Sequence, residues 1–555
     1  MSFWSAIVQK LKEIWNKMIG SRTIEQTLHV APIISTKMEE SIELWGNMYK
    51  NEAPWLKEPT FQDPSRVVSL GLPSLIASEK ARTALLEFES EITTPVQENE
   101  VENPDYVPPS VDENGFMIPA NGKPTIIEDT PVSDTSRAEY LNTQYEKLKR
   151  QLRRQIEYGI AKGGLVIKPY VILNKDEEEG VEASYDMEFD FIQADAFYPL
   201  AYDAAGKITE AAFIQTKVDK ENIYRRLEYH KWYNNMVEIV NKAFKSVESR
   251  TELNNQNLGA VDLGKEIPLT DVPEWAGLSP KTTVKNIKSP LFAYFRMPEA
   301  NTIDPTSPLG VSGFSRAVSL IKDADMQYSR LLWEYEGGQL AIDVDRDALA
   351  FKDDGSGDGR SGLNNLQERL YRKVDLGESD TFQAYNPALR DNSYITGLNT
   401  ILMRIEDEIG MSRGTISDAS SEAKTATELK ILKQRSYQTN ADIQAAIQDA
   451  LENVIYIMNV YCDLYEITVP GEYEVNYEWD DSILVDVDAE LSKRITLLQN
   501  GLTSKAELRQ WYFGETERQA EEALERIAKE GQDAMEENLI NEQNIATVKN
   551  NAKNR

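Results

Sequence analysis

The stretch from about Ala423 to Tyr465 contains neither proline nor glycine, and its apolar residues recur at helical spacing. A helix of that length rises about 60 Å, long enough to cross a whole domain. It is preceded by a Gly/Ser-rich loop, Met411 to Ser421, and by a helix whose stripe is Tyr394, Ile395, Leu398, Ile401, Leu402, Ile405 and Ile409. A second striped helix lies further upstream, with Phe314, Ala317, Val318, Ile321, Ala324, Tyr328, Leu331 and Tyr335 on one face, and Gly337-Gly338 ends it. Between the two, the pattern predicts a small α/β insert: strand Leu340 to Val344, Gly-rich turn Asp353 to Gly362, short helix Leu363 to Arg369 and strand Leu370 to Leu376.

Upstream, short β-rich runs (Leu165 to Leu173, Met187 to Ile192, Ala211 to Val218, Ile223 to Trp232) predict a mainly antiparallel sheet region over 163–247. The preceding helix, about Ser136 to Tyr158, carries the most basic cluster of the chain: Lys147, Lys149, Arg150, Arg153 and Arg154. That cluster reads either as a solvated face answering nearby acid or as a contact for DNA or an acidic partner. From Pro95 to Pro131 the sequence is rich in Pro, Glu, Asp and Asn, with Pro104, Pro108, Pro109, Pro119 and Pro124 expected to break any regular element. In the first twenty residues Phe3, Trp4, Ile7, Val8, Leu11, Ile14, Trp15 and Met18 form a helical stripe beside Lys10, Lys12 and Lys17, read as a terminal helix that docks on protein rather than on a membrane surface. After a strand near Glu472 to Trp479 the chain is helical. Ser504 with Glu507 and Thr516 with Gln519 have capping-box spacing, Gly501 and Gly514 separate the helices, and an Asn/Lys-rich tail, 541–555, is expected to fray.

With 555 residues the chain should form two to four domains. Its formal charge of −32 repels phosphate backbones and is opposite to the footprint of a tight nucleic-acid binder. Only His29 and His230 are present, which leaves almost no material for imidazole-activated chemistry, and His230 reads as an ordinary strand residue. The single cysteine, Cys462, can form no internal disulfide and points to a reducing compartment rather than to a secreted enzyme. No apolar run reaches membrane-spanning length, and no signal peptide is expected.

Three motifs mimic ligand sites and fail on their chemistry. Gly259 to Glu266 spaces two glycines and Lys265 as a P-loop does, but Glu266 stands where a Ser or Thr would hold magnesium. Asp354, Ser356, Asp358 and Gly359 begin like a calcium loop, yet the twelfth position is Asn365 instead of a bidentate Glu. Asp480, Asp481, Asp486 and Asp488 have no histidine or pocket signature beside them and read as a solvated edge. No metal, cofactor or catalytic residue is therefore expected.

The element order, together with Ser307-Pro308-Leu309-Gly310-Val311-Ser312, Lys424-Thr425-Ala426-Thr427-Glu428 and Asp480-Asp481-Ser482-Ile483, resembles the portal proteins of siphophages that infect Gram-positive bacteria. Weaker echoes lie in Trp45 to Trp55, Leu227 to Trp232 and Asn301-Thr302-Ile303-Asp304. The resemblance implies an α+β, mostly helical chain in a ring, usually of about twelve subunits, around a DNA channel at one capsid vertex. It implies a wing (1–312), stem helices (313–336 and 393–410), a clip (337–392), a tunnel loop (411–421), a long helix returning to the wing (422–480) and a crown (481–540). Phe314, Ala317, Val318, Ile321, Tyr394, Leu398, Ile401 and Ile405 would belong to the stem. Ser412, Arg413, Gly414, Thr415, Ser417 and Asp418 would belong to the loop beside the DNA, with Gly410 and Gly414 giving it freedom to shift and Arg404 or Arg413 touching the duplex. The implied partners are double-stranded DNA, the large terminase subunit, a head-tail adaptor, and the major capsid and scaffolding proteins, in the virion and, during assembly, in the host cytoplasm. A packaging nuclease or ATPase, or an adaptor or minor capsid protein, are the competing readings.

Overall fold

The structure, a computed structural model, describes residues 23–57, 66–86, 88–102, 110–111, 117–118, 125–174, 184–219, 222–246, 263–345, 371–374, 382–418, 426–479, 487–514 and most of 519–529. It divides into two units, Met1–Trp479 and Asp480–Arg555, and the architecture is α+β.

The first unit opens with α1 (Ile24–Leu28), α2 (Thr36–Tyr49) and α3 (Leu72–Ala84). Thr23 and Gln26 cap α1 reciprocally, and the Ser35 hydroxyl accepts from the Met38 amide at the start of α2. Strand β1 (Glu89–Thr93) follows, then β2 (Val96–Glu102), β3 (Ser110–Val111), β4 (Met117–Ile118) and β5 (Thr125–Pro131). β2 pairs antiparallel with β5, and β3 with β4. This corrects the expectation that prolines keep the segment irregular. Pro104, Pro108, Pro109, Pro119 and Pro124 fall between the strands, and Pro131 sits at the end of the ladder opposite Val96, where a missing N–H interrupts no pairing.

Helix α4 (Ser136–Lys162) is the spine of the unit. Leu141, Tyr145, Leu148, Leu152, Ile156 and Ile160 recur at three- and four-residue spacing and are all buried. The stripe continues beyond Tyr158, so the helix runs on until Gly163, which at φ 90° adopts the left-handed cap. Of the basic cluster, Lys147 pairs with Asp186 and Lys149 with Glu146, while Arg150, Arg153 and Arg154 are exposed.

Strands β6 (Gly164–Asn174), β7 (Ser184–Gln193), β8 (Phe197–Tyr202), β9 (Ile208–Asp219), β10 (Asn222–Tyr233), β11 (Met236–Ser246), β12 (Lys265–Ile267), β13 (Lys281–Lys285) and β14 (Ala293–Arg296) form two antiparallel sheets. One has the order β14-β6-β7. The other runs β12-β11-β10-β9-β8, with β13 also on β11. His230 is a buried residue of β10. Lys265 and Glu266, the end of the P-loop look-alike, lie in a strand rather than opening a helix, so no dipole faces a phosphate there; positions 259–262 lie outside the described residues.

Beyond these sheets come α5 (Val318–Gly337), β15 (Ala341–Asp345), β16 (Tyr371–Val374), β17 (Phe382–Tyr385), α6 (Asp391–Ile409), α7 (Ala426–Leu464) and β18 (Glu474–Glu478), which pairs with β1. β15 is parallel to β16 and antiparallel to β17. A parallel pair requires a crossover connection. The segment that makes it, with the expected Gly-rich turn, the calcium-loop look-alike and the short helix, lies outside the described residues. α7 buries Ile443, Ile447, Leu451, Val454, Met458 and Cys462 in the same core as α4 and β6. The two long helices are tied by buried Arg137, which donates to Asn459 Oδ1 (2.6 Å), Asp463 Oδ1 (2.7 Å) and Thr468 Oγ1 (2.7 Å).

The second unit contains α8 (Val487–Gln499) and α9 (Lys505–Phe513). The Ser504/Glu507 capping box is formed as its spacing predicts, and the Arg494 guanidinium lies 4.4 Å from the Trp511 ring centre. The N-terminal stripe, Asp480, Asp481 and Asp486, the Thr516 cap and the tail lie outside the described residues. No helix among the described residues is long and apolar enough to cross a membrane.

Candidate functional site

The Ser307 to Ser312 motif closes the C-terminus of α4 and launches α5. A helix end leaves carbonyls without partners; here Gly313 N donates to Ile160 O (2.9 Å) and Met297 N to Gly163 O (3.1 Å). The backbones of Gly163 and Gly310 touch. A Cβ on Gly163 would lie 2.6 Å from Gly310 O, and one on Gly310 would strike Gly163 O even more closely. Asn301 shapes the approach: its Oδ1 accepts from Ile303 and Asp304 amides, and its Nδ2 donates to Leu309 O. Buried Lys80 fixes the launch point by donating to Gly313 O (2.8 Å) and Glu299 Oε1 (3.0 Å). Burial lowers the Lys80 pKa, and the Glu299 carboxylate opposes that shift.

On α5 and the turn before it, Phe314, Ala317, Ile321 and Ala324 are fully buried and Val318 is half-buried. Further along, the helix emerges from the body, and Trp333 is 69% exposed. At its base, buried Asp325 accepts from Trp55 Nε1 (2.9 Å) and from the Leu70 amide (2.8 Å), which ties Trp55 and Leu70 to the helix. Helix α6 packs on α5. Its Tyr394, Leu398 and Ile401 are half-buried, whereas Ile405 and Ile409 are buried. Glu334 near the end of α5 receives a two-pronged ion pair from Arg390 (2.7 and 3.1 Å) as well as the Arg390 amide, closing the far end of the helix pair.

At the near end α6 stops at Gly410, in the left-handed region at φ 73°, with Thr439 of α7 packed where a side chain would project. The loop that follows is held from three sides. Thr439 Oγ1 donates to Gly410 O, and the Ser412 amide donates to Ser436 Oγ. The Asp418 amide donates to Asn399 Oδ1 of α6. In the middle, Glu406, with 0% exposure, accepts from the Ile416 amide (2.6 Å), the Ser417 amide (3.0 Å), the Ser417 hydroxyl (2.7 Å) and the Gly414 amide (3.3 Å). Arg413, Gly414 and Thr415 form the exposed tip.

Beside that tip, Asp407 collects three guanidinium groups. Arg413 binds it through two bonds (2.7 and 3.1 Å), Arg435 of α7 reaches Oδ1 at 3.4 Å, and Arg404 lies at 3.9 Å. The Arg413 hydrogen bond, opposed in part by burial, holds the Asp407 carboxyl below its usual range. With Glu406, Glu408 and Asp418 close by in the chain, the corner gathers charges of both signs, and Arg413 stands at its exposed side.

Of the residues expected at the loop, Arg413, Gly414, Thr415 and Asp418 are exposed and Ser412 is half-buried. Ser417 is buried and turned onto Glu406, so its hydroxyl does not face solvent. Over 411–418 most of the loop's amides have partners within the fold; residues 419–421 lie outside the described residues. Sequence reading missed Glu406, Asp407, Arg435, Ser436 and Thr439. A signal for the first two exists: Glu406-Asp407-Glu408 places three acids in the last turn of a helix, against its dipole. The arrangement holds no nucleophile paired with a base; it can present an arginine-bearing, hydrogen-bonding edge on a rigid frame. A family model described as phage portal protein, SPP1 Gp6-like, matches residues 120–537. No curated protein matches the chain.

Proposed function

The chain belongs to the SPP1 Gp6-like phage portal protein family, and on that footing we propose that it assembles as a closed ring of about twelve copies whose channel is bordered by α5, α6 and the loop 411–418. A portal protein is a virion component of the capsid through which the viral genome is packaged, and the family is structural rather than catalytic. The proposed division of labour follows the chain: wing over 1–312, stem in α5 and α6, clip over 337–392, tunnel loop at 411–421, crown beyond about 481. The stem residues Phe314, Ala317, Val318, Ile321, Tyr394, Leu398, Ile401 and Ile405 act as scaffold. Arg413 and Thr415 are the loop residues offered to DNA, with Ser412, Gly414 and Asp418 beside them and Ser417 serving as an internal anchor.

The clip is the proposed dock for the large terminase subunit and, after packaging, the head-tail adaptor. The outer surface meets major capsid and scaffolding proteins, at a single vertex of the virion and in the host cytoplasm during assembly. A siphophage of a Gram-positive host is the proposed source. The observation that carries the reading is the family match over residues 120–537, joined to a helix pair bracketed by an α/β insert at one end and a loop with Arg413 at its exposed tip at the other. Each phosphate neutralised by Lys or Arg adds affinity and therefore drag on moving DNA. A chain of charge −32 whose loop arginine, Arg413, is paired with Asp407 keeps the duplex centred and mobile.

Native mass spectrometry and negative-stain imaging of the purified full chain test the assembly. The expected result is a ring with a central hole and about twelve subunits. A monomer that persists at high protein concentration would overturn it.

A further inference from the structure

We propose that Glu406 is the positioning residue of the tunnel loop, a carboxylate whose task is to hold the peptide groups of 414–417 in one shape so that Arg413 and Thr415 stand out from the frame. The inference rests on reading 411–418 as the DNA-facing loop. Glu406 is fully buried, and among the described residues no Lys or Arg pairs with it. Its contacts are three backbone amides and one hydroxyl, all of them donors and all from the loop. A carboxylate can accept about four hydrogen bonds, so this one is saturated by a single segment of chain.

Its location rules out helix stability as the reason for its presence. Glu406 lies in the last turn of α6, where the helix dipole opposes negative charge, and burial without a directly paired cation opposes it again. A leucine would serve the core of α6 better. The carboxylate is explained by what the loop needs: Gly414, Ile416 and Ser417 amides point inward at one place, and an unpaired buried N–H is unfavourable. The loop and Glu406 satisfy each other, and the Gly414 amide also reaches Ser417 Oγ (3.1 Å), itself bound to Glu406. The neighbouring acid, Asp407, works outward in the same manner by aiming Arg413. Two adjacent carboxylates thus fix the backbone of the loop and the direction of its charged side chain.

The substitution Glu406→Gln keeps size and shape but replaces one acceptor oxygen with a donor, so it removes part of the set without opening a cavity. Hydrogen exchange on the purified chain should show the Ile416 and Ser417 amides exchanging at least tenfold faster, with α6 amides from Leu398 to Ile405 unchanged. Glu406→Asp, which keeps both oxygens on a shorter stem, should restore part of the protection. Unchanged exchange at Ile416 and Ser417 would overturn the proposal. So would equal acceleration along α6, which would mark Glu406 as a general core residue. Genome packaging with the same variant separates the two readings: a loosened loop with packaging equal to the parent leaves the latch standing and removes the DNA-facing role of the loop.

Discussion

His230 is the buried residue most exposed to the consequences of acid. Its Nε2 sits 2.7 Å from Glu228 Oε1, its ring meets Phe213 and Phe292 edge to face, and its Nδ1 has no partner among the described residues. The neutral ring donating through Nε2 is the form that fits, since an unpaired lone pair against aromatic walls is less harmful than an unpaired N–H. Burial lowers the His230 pKa below 6.5, and Lys168 and Arg226 add to that, against the pull of Glu228. Glu228 would be raised by burial, but Lys168, the His230 hydrogen bond and Arg226 outweigh it and hold it well below 4.5. Both groups have depressed pKa values in the fold. Their contribution to stability is therefore present at neutral pH and is lost as pH falls, starting near 6.5 as the unfolded chain takes up the histidine proton. The thermal midpoint should drop between pH 7.5 and 5.5, and His230→Gln should flatten that drop. An equally steep slope in the variant would remove His230 as its cause.

At the scale of elements, the junction between α4 and α5 is a close fit of two glycines, and Gly310→Ala should be felt throughout the first unit. The added methyl meets the Gly163 carbonyl, and neither backbone can retreat without breaking the Gly313–Ile160 or Met297–Gly163 bonds. A loss on the order of 3 kcal/mol is expected, read as a lower thermal midpoint; Gly206→Ala, whose Cβ would meet nothing within 4 Å but whose φ is 81°, should lose only about 1 kcal/mol. Equal midpoints for Gly310→Ala and the parent would show that the contact is not tight.

The same elements show what a sequence can reveal. The last turn of α4 beyond Tyr158 was not legible, whereas the stripes of α5 and α6 were, because burial on one side of a helix imposes a local period, and Gly337-Gly338 marked the end of α5. The Ser504 cap was legible for the same reason. The β2–β5 ribbon was not, because counting prolines ignores where they fall relative to the pairing. The parallel β15–β16 pair and β12 to β14 depend on partners more distant in sequence. A connection between α6 and α7 was legible, but not what holds it: Glu406 of α6, Ser436 and Thr439 of α7 and Asn399 converge on it only after folding.

At the scale of the whole molecule, repetition turns a small local charge into a large one. In the proposed ring, a single carboxylate added at the loop tip is added about twelve times around one circumference, within about a Debye length, 8 Å at physiological salt, of any duplex that fits the channel closely. Thr415 is the place to add it. Its side chain is exposed and its hydroxyl serves only Ser412 O, so Thr415→Glu leaves the Glu406 contacts and the Arg413–Asp407 pair in place. Ser417→Glu would not be a clean test, since Ser417 is buried against Glu406. Rings should form as in the parent, because no apolar contact of the α5–α6 stripe is touched. Packaging yield or genome retention should fall several-fold at physiological salt and recover in part at high salt, where screening shortens the reach of the added charges. The salt recovery is the informative half, because a loop merely misfolded by the substitution would not regain function when ions are added. Packaging and retention equal to the parent at both salt concentrations would show that the tip does not face the DNA.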